Sequence, residues 1–202
     1  MPFLNHGILI VLLFGLVSTA YAQHGHESTV PDRDGETVLV NGLRIDPANP
    51  PGGSNVGRAM TFIGDAYVHV AYSRPFKRGR VIFGGLVGFG QIWPLGAHYA
   101  TEIVLTKPLL AAGQRLEAGV YSLLATPGAE TWTLHFNSVL GMHMADLYDA
   151  AHDVLVVEVP VETLSETVEQ HTIDFEDTEA GTDLRISWDQ TRVRLSLTAA
   201  RK

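Results

Sequence analysis

From Arg58 onward, apolar and polar residues alternate with a period of two, which in an extended chain sends successive side chains to opposite faces. Ala66, Val68, Val70 and Tyr72 share one face of such a strand. Trp132, Leu134 and Phe136 share a face of another, with Thr131, Thr133 and His135 pointing away. Leu184, Ile186 and Trp188 repeat the pattern. Val193, Leu195 and Leu197 answer it beyond Asp189-Gln190, which reads as the turn of a terminal hairpin. Further strands are expected over 101–106, 119–125, 153–159 and 168–175, with turn chemistry at Ala112-Gly113, Pro127-Gly128 and Ala180-Gly181. Only 142–151, MHMADLYDAA, lacks alternation, and it predicts a short helix. About eight strands without long intervening helices define an all-β fold, an antiparallel β-sandwich or barrel-like domain with at most one short helix.

Upstream of the alternating region the pattern changes. Ile8 to Val17 is a nearly unbroken apolar run, and Ala20-Tyr21-Ala22 fits a small-x-small cleavage site, so residues 1–22 predict a signal peptide. The run is shorter than the roughly 20 apolar residues that cross a bilayer, and the mature chain is expected to carry no transmembrane segment. Export to the periplasm or the extracellular space follows. Residues 23–55 read as a flexible leader rich in turn formers, interrupted by 36–45, where Asn41-Gly42 is the turn of a short hairpin. Residues 56–200 then form a single β-domain.

Composition narrows the chemistry. The chain has 22 acids against 14 bases, a net charge of -8, which argues against nucleic acid as a partner. It has no Cys, so disulfides, thiolate nucleophiles and Cys-ligated metal centres are excluded. Nothing in the sequence requires a cofactor, and a divalent transition metal is the one its histidines suit. The sequence does not specify an oligomeric state.

Against that acidic background, Tyr72 to Thr101 is distinctive. Arg74, Lys77, Arg78 and Arg80 place four of the fourteen bases within seven residues. They suit a small anionic or polar ligand held by charge-assisted hydrogen bonds, with a solvated loop or an internal ion pair as the alternative. Gly84, Gly85, Gly88, Gly90 and Gly96 follow, but Gly88-Phe89-Gly90 lacks the Gly-Lys-Ser/Thr ending of a phosphate loop. The glycines read instead as permitting bulges and tight crossings in a curved sheet. The candidate binding set is Arg74, Arg80, Gln91, Trp93, His98 and Glu102: arginines for an anion, Trp93 as an apolar wall, and His98 and Glu102, four apart, sharing a strand face. Trp132 and Trp188 share faces with aliphatics and read as core.

The histidines supply a second inventory. His24 and His26 lie just behind the expected new N-terminus, whose amine could join them in capturing copper, zinc or nickel. His69 and His135 sit on the polar sides of their strands, and His143 and His152 flank a segment with Asp146, Asp149 and Asp153 alongside. No His-Glu-x-x-His motif and no Gly-x-Ser-x-Gly nucleophile elbow occurs, so no catalytic residue is assigned.

Several pieces together resemble one family. Tyr72-Ser73-Arg74-Pro75, Gly79 to Val87, Gly90-Gln91-Ile92-Trp93, and Gly96-Ala97 with Ala100-Thr101 are similar to the signature of the bacterial "domain of unknown function 2911" family. Leu116 to Pro127 and Trp188-Asp189-Gln190-Thr191 agree with it, and the resemblance covers roughly 55–200. It implies an exported β-domain with no established activity. Where the family reads Trp-Arg-Thr-Gly-Ala-Asn-Glu-Ala-Thr, this chain has Pro94, His98 and Tyr99 in place of the Arg, Asn and Glu. Three functional readings follow: a non-catalytic ligand-binding or interaction module with a site near 72–102, a metal-dependent hydrolase using His and carboxylate ligands, or a structural envelope protein without a site.

Overall fold

A computed structural model describes the strands at 38–40 and 43–45 and residues 55–200. The expected signal peptide, His24 and His26 lie outside the described residues. The chain divides into two compact units, Met1–Pro47 and Ala48–Lys202. In the first, β1 (Val38–Val40) and β2 (Leu43–Ile45) pair antiparallel with Val40 opposite Leu43, as expected of a hairpin over 36–45.

The second unit is all-β. Its strands are β3 (Asn55–Ile63), β4 (Ala66–Arg74), β5 (Thr101–Leu105), β6 (Leu109–Ala111), β7 (Gln114–Leu116), β8 (Gly119–Pro127), β9 (Thr131–Asn137), β10 (Asp153–Thr178) and β11 (Gly181–Ala199). They form one antiparallel sheet in the order β3-β4-β5-β8-β9-β10-β11-β6-β7, whose end strands do not pair with each other, so the sheet is not closed. Alternation works as expected. Val68, Val70, Ile103, Leu123, Trp132 and Leu134 are fully or almost fully buried on the inner face. The 26-residue β10 and 19-residue β11 carry the bend. Between the pairs Thr163–Thr191 and Thr172–Ser187, β10 advances nine residues while β11 advances four, and this excess turns the sheet back on itself. β3 and β4 thereby pack against β10. The tail of β4 is stitched there by the Tyr72 hydroxyl donating to Ile173 O (3.0 Å), His171 N–H to Pro75 O (2.9 Å) and Lys77 N–H to Glu169 O (2.7 Å).

Two local expectations are corrected. Asp189-Gln190 is not a hairpin turn: β11 runs straight through it, with Asp189 at φ 56°. A left-handed kink at Asp189, opposite the irregular stretch of β10, marks the switch of the buried set from even positions (Leu184, Ile186, Trp188) to odd ones (Val193, Leu195, Leu197), and a parity switch in sequence looks the same whether a turn or a kink causes it. Segment 142–151 is not a helix either. Only Ala150–His152 forms a 3-10 turn, with Asp149 capping Ala151 N–H at 2.9 Å. The apolar residues of that segment instead cover Leu124, as Met142 does from a fully buried position.

Candidate functional site

Between β4 and β5 the chain leaves the sheet as a succession of turns. Arg80 N–H donates to Lys77 O (3.1 Å), Gly84 N–H to Val87 O (2.8 Å) and Val87 N–H to Ile82 O (2.8 Å). Gly85 is required here, because a Cβ would sit 2.5 Å from the Val81 carbonyl oxygen. The glycines therefore build turns over the sheet rather than bulges within it. Trp93 anchors the segment: its N–H and C=O exchange hydrogen bonds with Ala125 (2.7 and 2.9 Å), and its indole N–H donates to Gly96 O (3.0 Å).

Beneath these turns lies a cavity of about 440 Å³. Its inner wall is aromatic and aliphatic. Trp93 and Trp188 stack with centroids 6.0 Å apart, beside Val87 and Ile92. Its mouth carries Phe76, Arg78, Arg80, Gln91, His98 and Met144. No Asp or Glu is among the described residues that line it.

The cations at the mouth are arranged unequally. Lys77 is neutralised by Asp189 at 2.8 Å. Arg80 turns its Nε to Lys77 O (2.9 Å) and Nη2 to Phe76 O (2.6 Å), closing the 76–80 turn without a carboxylate. Arg78 lies with its guanidinium carbon 6.0 Å from the Phe76 ring centroid, and its backbone N–H, not its side chain, holds the Glu169 carboxylate (2.8 Å). Elsewhere in the domain Arg185 and Arg194 are each bound by carboxylates, Asp174 and Glu176 for the first, Glu162 and Glu176 for the second. Arg78, His98 and Met144 also hold left-handed backbone (φ 50°, 70° and 55°), three of the six such non-glycine positions among the described residues. Left-handed backbone costs an ordinary side chain about 1–2 kcal/mol, so the strain is concentrated around this cavity.

Four of the six residues expected from the sequence, Arg80, Gln91, Trp93 and His98, meet here. The other two are elsewhere. Arg74 donates Nε to His171 O and Nη2 to Thr172 Oγ1, both at 3.3 Å, joining β4 to β10. Glu102 accepts from Gly141 N–H (3.2 Å) and lines a separate, smaller cavity. His98 precedes β5 in left-handed backbone, so strand alternation does not relate it to Glu102. Trp188 and Met144 reach the cavity from distant parts of the chain and carry no local signal of it. In the sequence Arg78 stands out only as a member of the basic run.

Behind the tryptophans sits His171, fully buried, edge-on to Trp93 (5.3 Å) and Trp188 (5.8 Å). Its Nδ1–H donates to Ser73 O (3.1 Å), which leaves Nε2 as an acceptor without a partner. Burial, helped by the Arg74 charge and only partly opposed by the Ser73 bond, pushes its pKa down to about 4.

The remaining histidines do not converge. His69 on β4 and His135 on β9 are separated by β5 and β8. His143 Nδ1 is 3.5 Å from Asp146, its ring 6.5 Å from that of His98, and both side chains of the ion pair are exposed. His135 belongs to a polar cluster. Asp153 Oδ2 accepts from the Tyr148 hydroxyl (2.8 Å) and pairs with His135 Nδ1 (3.0 Å), while Oδ1 accepts from Asn137 Nδ2 (2.8 Å). Burial, then the bond to Asp153, pushes the Tyr148 pKa up. Among the described residues no group of three or more His, Asp or Glu is placed to hold a metal ion, and no helix is long and apolar enough to cross a membrane.

The fold and cavity define an all-β, single-sheet domain with one aromatic-walled pocket whose mouth is cationic. By sequence, residues 54–197 match the family model described as "Protein of unknown function (DUF2911)", and the chain belongs to that family. No curated protein and no solved structure gives a significant match.

Proposed function

We propose that this domain is a non-catalytic binding module for a small organic anion with an apolar body, seated in the cavity beneath the 76–98 turns. One observation carries this role: two guanidinium groups without carboxylate partners among the described residues flank a pocket whose described lining has no acidic residue, in a chain of net charge -8. An unpaired arginine beside an apolar wall favours a ligand that brings its own negative charge. Charge-assisted hydrogen bonds to such a group contribute about 1.5–3 kcal/mol each. Burial against Trp93, Trp188 and Ile92 supplies the remainder of the affinity, and the left-handed backbone at Arg78 and His98 supports pre-organisation of the mouth.

Export belongs to the same proposal and rests on the Ile8–Val17 run and Ala20-Tyr21-Ala22. A periplasmic or extracellular module of this kind captures its ligand from outside the cytoplasm. The hydrolase alternative lacks a converging set of ligands among the described residues.

The test is titration of the protein with 8-anilinonaphthalene-1-sulfonate, an aromatic monoanion, followed by fluorescence and calorimetry. The expected result is saturable 1:1 binding, weakened about tenfold by Arg80→Ala and by rising salt, and unchanged within about twofold by Arg74→Ala. Binding that is non-saturable, or equal in the wild type and Arg80→Ala, would remove the proposal.

A further inference from the structure

We infer that the preferred ligand is a monocarboxylate, clamped by Arg78, rather than a phosphate ester or a dianion; this rests on the anion-binding role proposed above and names its chemical class. The two arginines at the mouth are not equivalent. Arg80 spends Nε and Nη2 on the carbonyls of Lys77 and Phe76, at 2.9 and 2.6 Å. Two of its five N–H donors are thus spent and its guanidinium is held in place, so it has fewer donors free for a ligand than Arg78. Arg78 spends none of its five side-chain donors on any described residue, and its guanidinium lies over the Phe76 ring at 6.0 Å. An arginine resting on an aromatic face keeps its planar fork oriented with its edge free, and that edge matches the two oxygens of a carboxylate.

Phe76 joins the two. Its carbonyl immobilises Arg80 while its ring supports Arg78. The free fork then sets the ligand class. The complete fork of Arg78 matches the two oxygens of a carboxylate, and the partly engaged Arg80 and the amide of Gln91 line the same cavity. A phosphate monoester brings three terminal oxygens and up to two charges. Sites that hold it add a helix N-terminus or a cradle of successive backbone N–H groups. The 3-10 turn at Ala150–His152 is the one helical element among the described residues, and it does not line this cavity. The apolar body of the ligand faces Trp93, Trp188 and Met144, and a volume of about 440 Å³ admits a one- or two-ring body.

The experiment measures, by calorimetry at pH 8, the affinities of the full-length protein for 1-naphthaleneacetate, 1-naphthyl phosphate and neutral 1-naphthaleneacetamide. Arg78→Lys is measured alongside the wild type. Arg78 is exposed and its side chain makes no hydrogen bond to a described residue, so the variant is expected to keep the fold, and the ranking in the wild type is itself a test. The expected result is naphthaleneacetate bound at least about tenfold tighter than the phosphate and the amide. Arg78→Lys should lower the naphthaleneacetate affinity about tenfold, although the charge is kept. Naphthyl phosphate binding as tightly or tighter, or Arg78→Lys matching the wild type for naphthaleneacetate, overturns the carboxylate class while leaving an anion site in place. The amide binding as well as the acid, or none of the three binding, overturns both the class and the anion-binding role.

Discussion

Trp93 and Trp188 stack with ring centroids 6.0 Å apart and planes 21° apart, which ties the turns before β5 to the middle of β11. Trp132 meets Trp93 edge-on at 5.8 Å and Phe83 sits against all three, so every tryptophan of the chain is in one cluster. The wall of the cavity is thus also the centre of the core. Truncating Trp93 to Ala removes the stack, the bond to Gly96 O and a side chain that is only 7% exposed. It should cost about 3–5 kcal/mol in urea denaturation, and Trp93→Phe distinctly less. A loss below about 1 kcal/mol for Trp93→Ala would mean that the turns are not anchored through this residue.

His171 makes stability depend on pH in a stated direction. Its folded pKa of about 4 lies below the ordinary value of 6.5, so between those values the unfolded chain binds a proton that the native state refuses. Stability therefore falls as pH drops from about 7 towards 4 and levels off below. From the two values, the share due to His171 between pH 7 and pH 5 is about 2 kcal/mol. His171→Phe should flatten that part of the profile, because the ring that must shed its proton is gone. Denaturant midpoints for the two proteins at pH 7, 6 and 5 check this, and parallel profiles would show that the buried imidazole is not the group responsible.

The strands were legible because burial on one face imposes a period of two, and β4, β5, β8 and β9 fall where Val68, Ile103, Leu123 and Leu134 place them. The form of 142–151 is not legible in the sequence, because loss of alternation in MHMADLYDAA signals only that the segment is not a strand. Its apolar residues are spent covering Leu124 rather than forming a helical stripe. For the site, the basic and aromatic residues of the 74–98 stretch were visible as chemistry. Their geometry was not, since whether Arg74 or Arg78 faces the cavity depends on how the end of β4 and the residues just beyond it meet β10, Arg74 at His171 and Phe76 at Gln170, about a hundred residues downstream. Of the neighbouring Pro94, His98 and Tyr99, the first two line this cavity, while Tyr99 lines the smaller one with Glu102.

Asp189 makes the left-handed kink in β11 testable. At φ 56° a residue without Cβ branching is tolerated, and Asp also pairs with Lys77 at 2.8 Å. Asp189→Val adds left-handed strain of about 1–2 kcal/mol and loses a partly exposed ion pair contributing up to about 1 kcal/mol. Asp189→Gly loses the pair but relieves the strain, and its stability should stay within about 1 kcal/mol of the wild type. Thermal and urea unfolding of both variants separate the effects. If Val and Gly prove equally tolerated, the backbone at 189 is not left-handed.

Asp153 is the point on which the 137–153 segment closes, because its two oxygens take Asn137, His135 and Tyr148 together. Its side chain is 6% exposed, so removing it leaves donors that water cannot easily satisfy. Asp153→Ala is expected to cost about 3 kcal/mol or more, Asp153→Asn less because one acceptor survives, and Tyr148→Phe about 1 kcal/mol. Since Tyr148 and Asp153 share one bond, the double variant Tyr148→Phe with Asp153→Asn should be non-additive by at least about 0.5 kcal/mol in equilibrium denaturation. Strict additivity would mean that the two side chains hold the segment independently. Coupling of the expected sign would identify the cluster as a single clasp fastening the loop, with Met142 beneath it and Met144 at the cavity mouth, to the outer face of β8 and β9.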